Sequence, residues 1–92
     1  MEKIKVTALE KMTMDYIVCM MYDEKGFSDI KELYRIMSID PKILKEILSN
    51  LSKKDLIVID EILNIIYLSG KTEGLVNSWL LDGSSHPVTL IT

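Results

Sequence analysis

The stretch Ser38-Ile39-Asp40-Pro41 constrains the fold more than any other feature of the sequence. Aspartate before proline is a helix start: the carboxylate can cap free amides, and proline costs nothing at the first helical position. The same stretch stops whatever precedes it, because the residue before proline is biased away from helical angles. Two short amphipathic segments flank the break. Ser28 can cap a helix over residues 29–37, with Ile30, Leu33, Ile36 and Met37 as its apolar stripe and Lys31, Glu32 and Arg35 facing outward. After the break, a helix from Pro41 to about Lys53 places Ile43, Leu44, Ile47, Leu48 and Leu51 inward, and Lys42, Lys45, Glu46, Ser49 and Lys53 outward. The reading is therefore two helices joined by a tight turn, the second with a basic outer face.

An earlier helix is expected over residues 7–22. Thr7 with Glu10 forms a capping-box pattern, and Thr13 with Asp15 is a second candidate start, so one helix or two fit the pattern. Tyr16, Ile17, Met20 and Met21 are expected to face the core. Beyond Lys53 the pattern changes. Leu56 to Asp60 is short and β-branched, Glu61 to Asn64 reads as a turn, and Ile65 to Leu68 as the return strand. Ser69 is expected to cap a last helix carrying Leu75, Val76, Trp79 and Leu80 on one face, closed by Gly83.

The order helix, helix, tight turn, helix, hairpin, helix resembles a winged helix-turn-helix domain. Ile30-Lys31-Glu32-Leu33, Ile39-Asp40-Pro41-Lys42, the series Leu44, Leu48 and Leu51, and Lys53-Lys54-Asp55-Leu56-Ile57 are similar to the helix-turn-helix of MarR-like and related small archaeal, bacterial and viral regulators. Tyr67-Leu68-Ser69 resembles the way that family leaves its wing. The resemblance implies an α+β, mostly helical fold with a two-stranded hairpin wing and a C-terminal helix. It covers roughly residues 13–81; with Gly83 closing the last helix, the domain is read as residues 1–83 and a tail as 84–92, whose last five residues could act as a strand. The resemblance also implies sequence-specific binding to double-stranded DNA through the major groove, and a role in transcription regulation.

The residues fit that expectation in kind. Lys42, Lys45 and Ser49 stand at i, i+3 and i+7 and share a helix face, with side chains suited to base edges and phosphates. Lys31, Arg35 and Lys53 would flank them on phosphates, and Ser28 and Asn50 complete the candidate DNA-binding set. Three features depart from the family pattern. Ile43 and Glu46 stand where that family usually shows small polar or basic residues. Asp55 stands where glycine usually follows the recognition helix, and the presumed wing tip, Glu61-Ile62-Leu63-Asn64, offers no cation to a phosphate. An acidic, apolar tip suits a protein partner, so Ile62 and Leu63 are candidate protein contacts. The competing reading is a winged-helix interaction module, an adaptor or inhibitor, that does not bind DNA.

Composition bounds the rest. Ninety-two residues allow one domain, with 48% hydrophobic and 27% charged residues, as in a folded chain. The net charge is −3, but residues 25–54 carry +3, between ends of −2 and −4. That central excess of cations can form a local anion-binding surface. No apolar run approaches the length of a membrane span, and charges at Glu2, Lys3 and Lys5 break up any secretory signal. A single cysteine suits a reducing compartment, so the expected location is the cytoplasm. Cys19, among Val18, Met20 and Met21, is expected to be buried and inert, and His86 to be an exposed polar residue. With one His, one Cys and no ligand spacing, neither a metal site, a cofactor site nor an enzyme is expected. A domain this small cannot bury every apolar residue at its two ends. A homodimer is therefore expected, with Leu9, Trp79, Leu81 and Leu90 at its interface and the basic helix left free.

Overall fold

The computed structural model describes residues 4–21, 28–73 and 88–90. In chain order these form β1 (Ile4–Val6), α1 (Ala8–Met21), β2 (Ser28–Asp29), α2 (Ile30–Met37), α3 (Pro41–Lys53), β3 (Ile57–Asp60), β4 (Ile65–Leu68), α4 (Gly70–Glu73) and β5 (Val88–Leu90). The described residues are α+β and mostly helical, with a small antiparallel sheet in the order β2-β4-β3 and a parallel pair, β1-β5.

Local chemistry accounts for the helix limits. The Thr7 amide donates to Glu10 Oε1 at 2.8 Å and the Glu10 amide to Thr7 Oγ1 at 3.2 Å, a reciprocal capping box that starts α1. Thr13 does not start a second helix: its hydroxyl donates to the Leu9 carbonyl at 2.7 Å, one turn back within the same helix. Asp29, not Ser28, caps α2, accepting from the amides of Lys31 and Glu32. Ser28 instead lies in β2 and is buried. Asp40 caps α3 as expected, accepting from the Lys42 amide at 2.8 Å, with Pro41 in the first turn.

The end of α3 shows why aspartate is tolerated where glycine is usual. The Leu56 amide donates to the Leu51 carbonyl and the Asp55 amide to the Ser52 carbonyl, the two bonds of a Schellman cap. Asp55 takes the left-handed position at φ 61°. Leu51 and Leu56 are both buried, which supplies the apolar contact that accompanies this cap. Ser69 caps α4 by accepting from the Thr72 amide, and its own hydroxyl donates to the Asp55 carbonyl at 2.6 Å. The cap that ends α3 and the one that begins α4 are thus joined.

The core lies where α1, α2, α3 and the three-stranded sheet meet. Met14, Ile17 and Val18 pack with Leu33, Leu44, Ile47, Leu48, Leu51, Leu56, Ile57, Ile66 and Leu68. The buried face of α1 is Glu10, Thr13, Met14, Ile17 and Val18. Tyr16, expected inside, is exposed, and Met20 and Met21 are half-buried. Ile36 and Ile43, also expected inside, are exposed beside the turn between α2 and α3. Cys19 is exposed rather than buried.

The two ends of the described chain meet each other. In β1-β5, Ile4 pairs with Val88, Lys5 with Thr89 and Val6 with Leu90. Val88–Leu90, expected in a tail beyond the domain, therefore form a strand on β1. Val6 is fully buried in the core, so it has a partner within its own chain. The helix positions expected at Leu75, Val76, Trp79 and Leu80, with Leu81 and His86, lie outside the described residues.

Candidate nucleic-acid interface

The cap at Asp40 and the buried row Leu44, Ile47, Leu48 and Leu51 fix the rotation of α3. Lys42, Lys45, Glu46, Ser49 and Lys53 therefore face solvent along one side. At 1.5 Å per residue, Lys42 and Lys53 stand about 16 Å apart along the axis. Lys31, Lys42, Lys45 and Lys53 form no ion pair among the described residues, so these ammonium groups are available to an anion.

The remaining expected site residues divide. Lys31 and Arg35 are exposed on α2, but they line a shallow depression together with Asp29 and Glu32. Arg35 Nη2 lies 3.4 Å from Glu32 Oε1, which offsets part of the charge there. Asn50 is half-buried, and its carbonyl accepts from the Lys54 amide. Ser28 has no exposed surface, and its hydroxyl lies 3.5 Å from Met20 Sδ. Burial removes it from any DNA contact.

Beside the basic face runs a groove of about 600 Å³, between α3, the start of α2 and the β3-β4 hairpin. Lys45, Ser49 and Lys53 form its polar wall, and Ile30, Tyr34, Leu48, Val58 and Ile59 its apolar surface. Glu61 and Asn64 close the hairpin side. No single segment of sequence announces this groove, because it is assembled from three elements.

The hairpin turn is held firmly. Asp60 Oδ1 accepts from the amides of both Ile62 and Leu63 at 3.0 Å. Asn64 sits at φ 58° and its carbonyl accepts from the Ile30 amide, which ties the turn to the start of α2. Both apolar side chains point outward, Ile62 with 95% of its surface exposed and Leu63 with 62%.

One basic residue of the central segment is taken up internally. Lys54 Nζ donates to Glu10 Oε1 at 2.7 Å and to the Lys5 carbonyl at 2.9 Å, joining the end of α3 to α1 and β1. Glu10 is only 3% exposed. Burial pushes its carboxyl pKa up, but hydrogen bonds from Lys54 and the Thr7 amide, with the Lys54 charge, outweigh that and hold it below the ordinary 4.5. The capping-box pattern flagged Glu10, but nothing in the sequence pointed to Lys54 as its partner 44 residues on.

Of the expected dimer contacts, Leu9 is exposed on α1 beside Met12 and Tyr16. Leu90 is placed in β5, and Trp79 and Leu81 lie outside the described residues. Among the described residues, no cluster of His, Cys, Asp and Glu could hold a metal ion, and no helix is long and apolar enough to cross a membrane. No known family model matches the chain, and no curated protein or solved structure shows a significant match to it.

Proposed function

We propose that this chain is a winged helix-turn-helix protein that binds double-stranded DNA through α3 and regulates transcription. The observation that carries the reading is the outer face of α3, where Lys42, Lys45 and Lys53 stand beside Ser49 with no ion pair among the described residues. The order α1, β2, α2, α3 and hairpin, with the sheet arranged β2-β4-β3, supports the same reading, since it sets α3 on the outside with a hairpin beside it. One recognition helix reads only a few base pairs, so the proposal includes a homodimer. The exposed apolar stripe Leu9, Met12 and Tyr16 on α1 supports an interface away from α3.

The test is fluorescence anisotropy with random duplex DNA across a salt series. Neutralising about four phosphates would give a log–log slope of about −3.6. The K42E/K45E variant, altered at exposed positions only, should remain folded by circular dichroism and lose binding. Affinity insensitive to salt, or undiminished in the variant, would refute the reading.

The outward Ile62 and Leu63 favour a second reading, a module that binds another protein through the hairpin. On that reading I62K/L63K leaves the chain folded and abolishes the protein complex, and K42E/K45E leaves that complex intact.

A further inference from the structure

The hairpin tip and the groove beside it are complementary to each other, yet one cannot fill the other within a single chain. The tip presents two apolar side chains, Ile62 and Leu63, next to the exposed carboxylate of Glu61. The groove offers an apolar surface at Tyr34, Leu48 and Val58, with exposed ammonium groups at Lys45 and Lys53. The Asp60 carboxylate and the Asn64–Ile30 bond hold the tip in a fixed shape pointing away from the body. A side chain that is 95% exposed on a braced turn has nothing to cover it among the described residues.

We infer that the groove receives the hairpin tip of a second copy of this chain, Ile62 and Leu63 against its apolar surface and Glu61 against Lys45 and Lys53. Charge complementarity selects this occupant: an acidic, apolar segment meets a basic, apolar groove, and both are present on every copy. The arrangement also closes on itself. Glu61 and Asn64 form one rim of the groove, so tip and groove are contiguous. Related by a two-fold axis, two copies can each place a tip in the other's groove, giving two equivalent contacts in a closed pair. The contact is independent of the duplex reading and separate from the α1 stripe. It covers Lys45, Ser49 and Lys53, so where DNA binding occurs the two compete.

The experiment is light scattering of the intact chain at rising concentration, with a charge exchange between copies. The wild type should gain mass as concentration increases. K45E/K53E alone sets acid against acid, and E61K alone sets base against base, so each should weaken association by about tenfold or more. A mixture of the two variants should restore it, because in the mixed pair one contact is reversed in sign and the other is wild type. I62K/L63K should remain folded by circular dichroism and should not associate alone or on mixing with E61K, where both contacts set base against base. A wild type whose mass does not rise up to high micromolar concentration would overturn the proposal. So would I62K/L63K associating like the wild type, or a mixture no heavier than its components.

Discussion

Replacing Glu10 removes several interactions at once, and their sum can be worked from the structure. In E10A the Thr7 amide loses its acceptor at 2.8 Å and Lys54 loses a carboxylate at 2.7 Å. The lost half of the capping box costs about 1 kcal/mol. A hydrogen bond to a charged group contributes about 1.5–3 kcal/mol. Here the lower value applies, because the Lys54 side chain keeps 31% of its surface in water and retains the Lys5 carbonyl. Emptying the space of the side chain adds up to ~1 kcal/mol. E10A should therefore lose about 3 kcal/mol, which in a domain of this size lowers the melting temperature by about 12–24 °C. E10Q keeps an acceptor for the Thr7 amide and should lose about half as much. Urea melts at neutral pH measure both, with an unchanged m-value as the check that only stability moved. The acid limb gives a second readout. Because the folded pKa of Glu10 lies below its ordinary 4.5, its contribution is complete above that value and disappears as pH falls through the folded pKa. Wild-type stability should decline on acidification below about pH 4.5, and E10Q should decline less steeply. An E10A variant within about 0.5 kcal/mol of wild type, or equal acid slopes for wild type and E10Q, would show that the clamp contributes nothing.

Three further outcomes follow from other parts of the molecule. D55G relieves a left-handed residue at φ 61° and should raise stability by about 0.5–1 kcal/mol, read as a higher urea midpoint. L51A opens a cavity in the fully buried row of α3 and beneath the Schellman cap, and should cost about 3–4 kcal/mol by the same melts. E46K places a cation on the exposed face of α3 and should strengthen binding to random duplex in anisotropy titrations, while leaving the melting temperature within a few degrees of wild type.

What the sequence made legible was governed by local rules. The start of α3 follows from Asp40 and Pro41 alone, and its end near Lys53 from the change to the β-branched run that begins at Leu56. The hairpin follows from two β-branched runs around a four-residue turn. The errors arose where burial overrode polarity. Glu10 and Thr13 look like surface residues, yet both lie on the buried face of α1 because their polar atoms are satisfied by Lys54, Thr7 and the Leu9 carbonyl. Read only as capping residues, they are missing from the expected core face, and Tyr16, expected on it, is exposed. Ser28 was misplaced for a related reason: two adjacent capping residues compete, and Asp29 wins because its carboxylate reaches two amides. The end of the tail was legible as a possible strand, and Val88–Leu90 form one, but its pairing with β1 and the groove were not, since each depends on segments distant in sequence.

The pairing of β1 with β5 has a consequence for how the molecule is made. Ile4 and Val88 are separated by nearly the whole chain, so during synthesis the first strand emerges long before its partner exists. Closing so large a loop costs entropy that nearby contacts do not, and this pair should be the last to form. Until then β1 is an open strand edge, able to pair with the same segment of another nascent chain. A product cut short before Val88 would keep that edge unpaired.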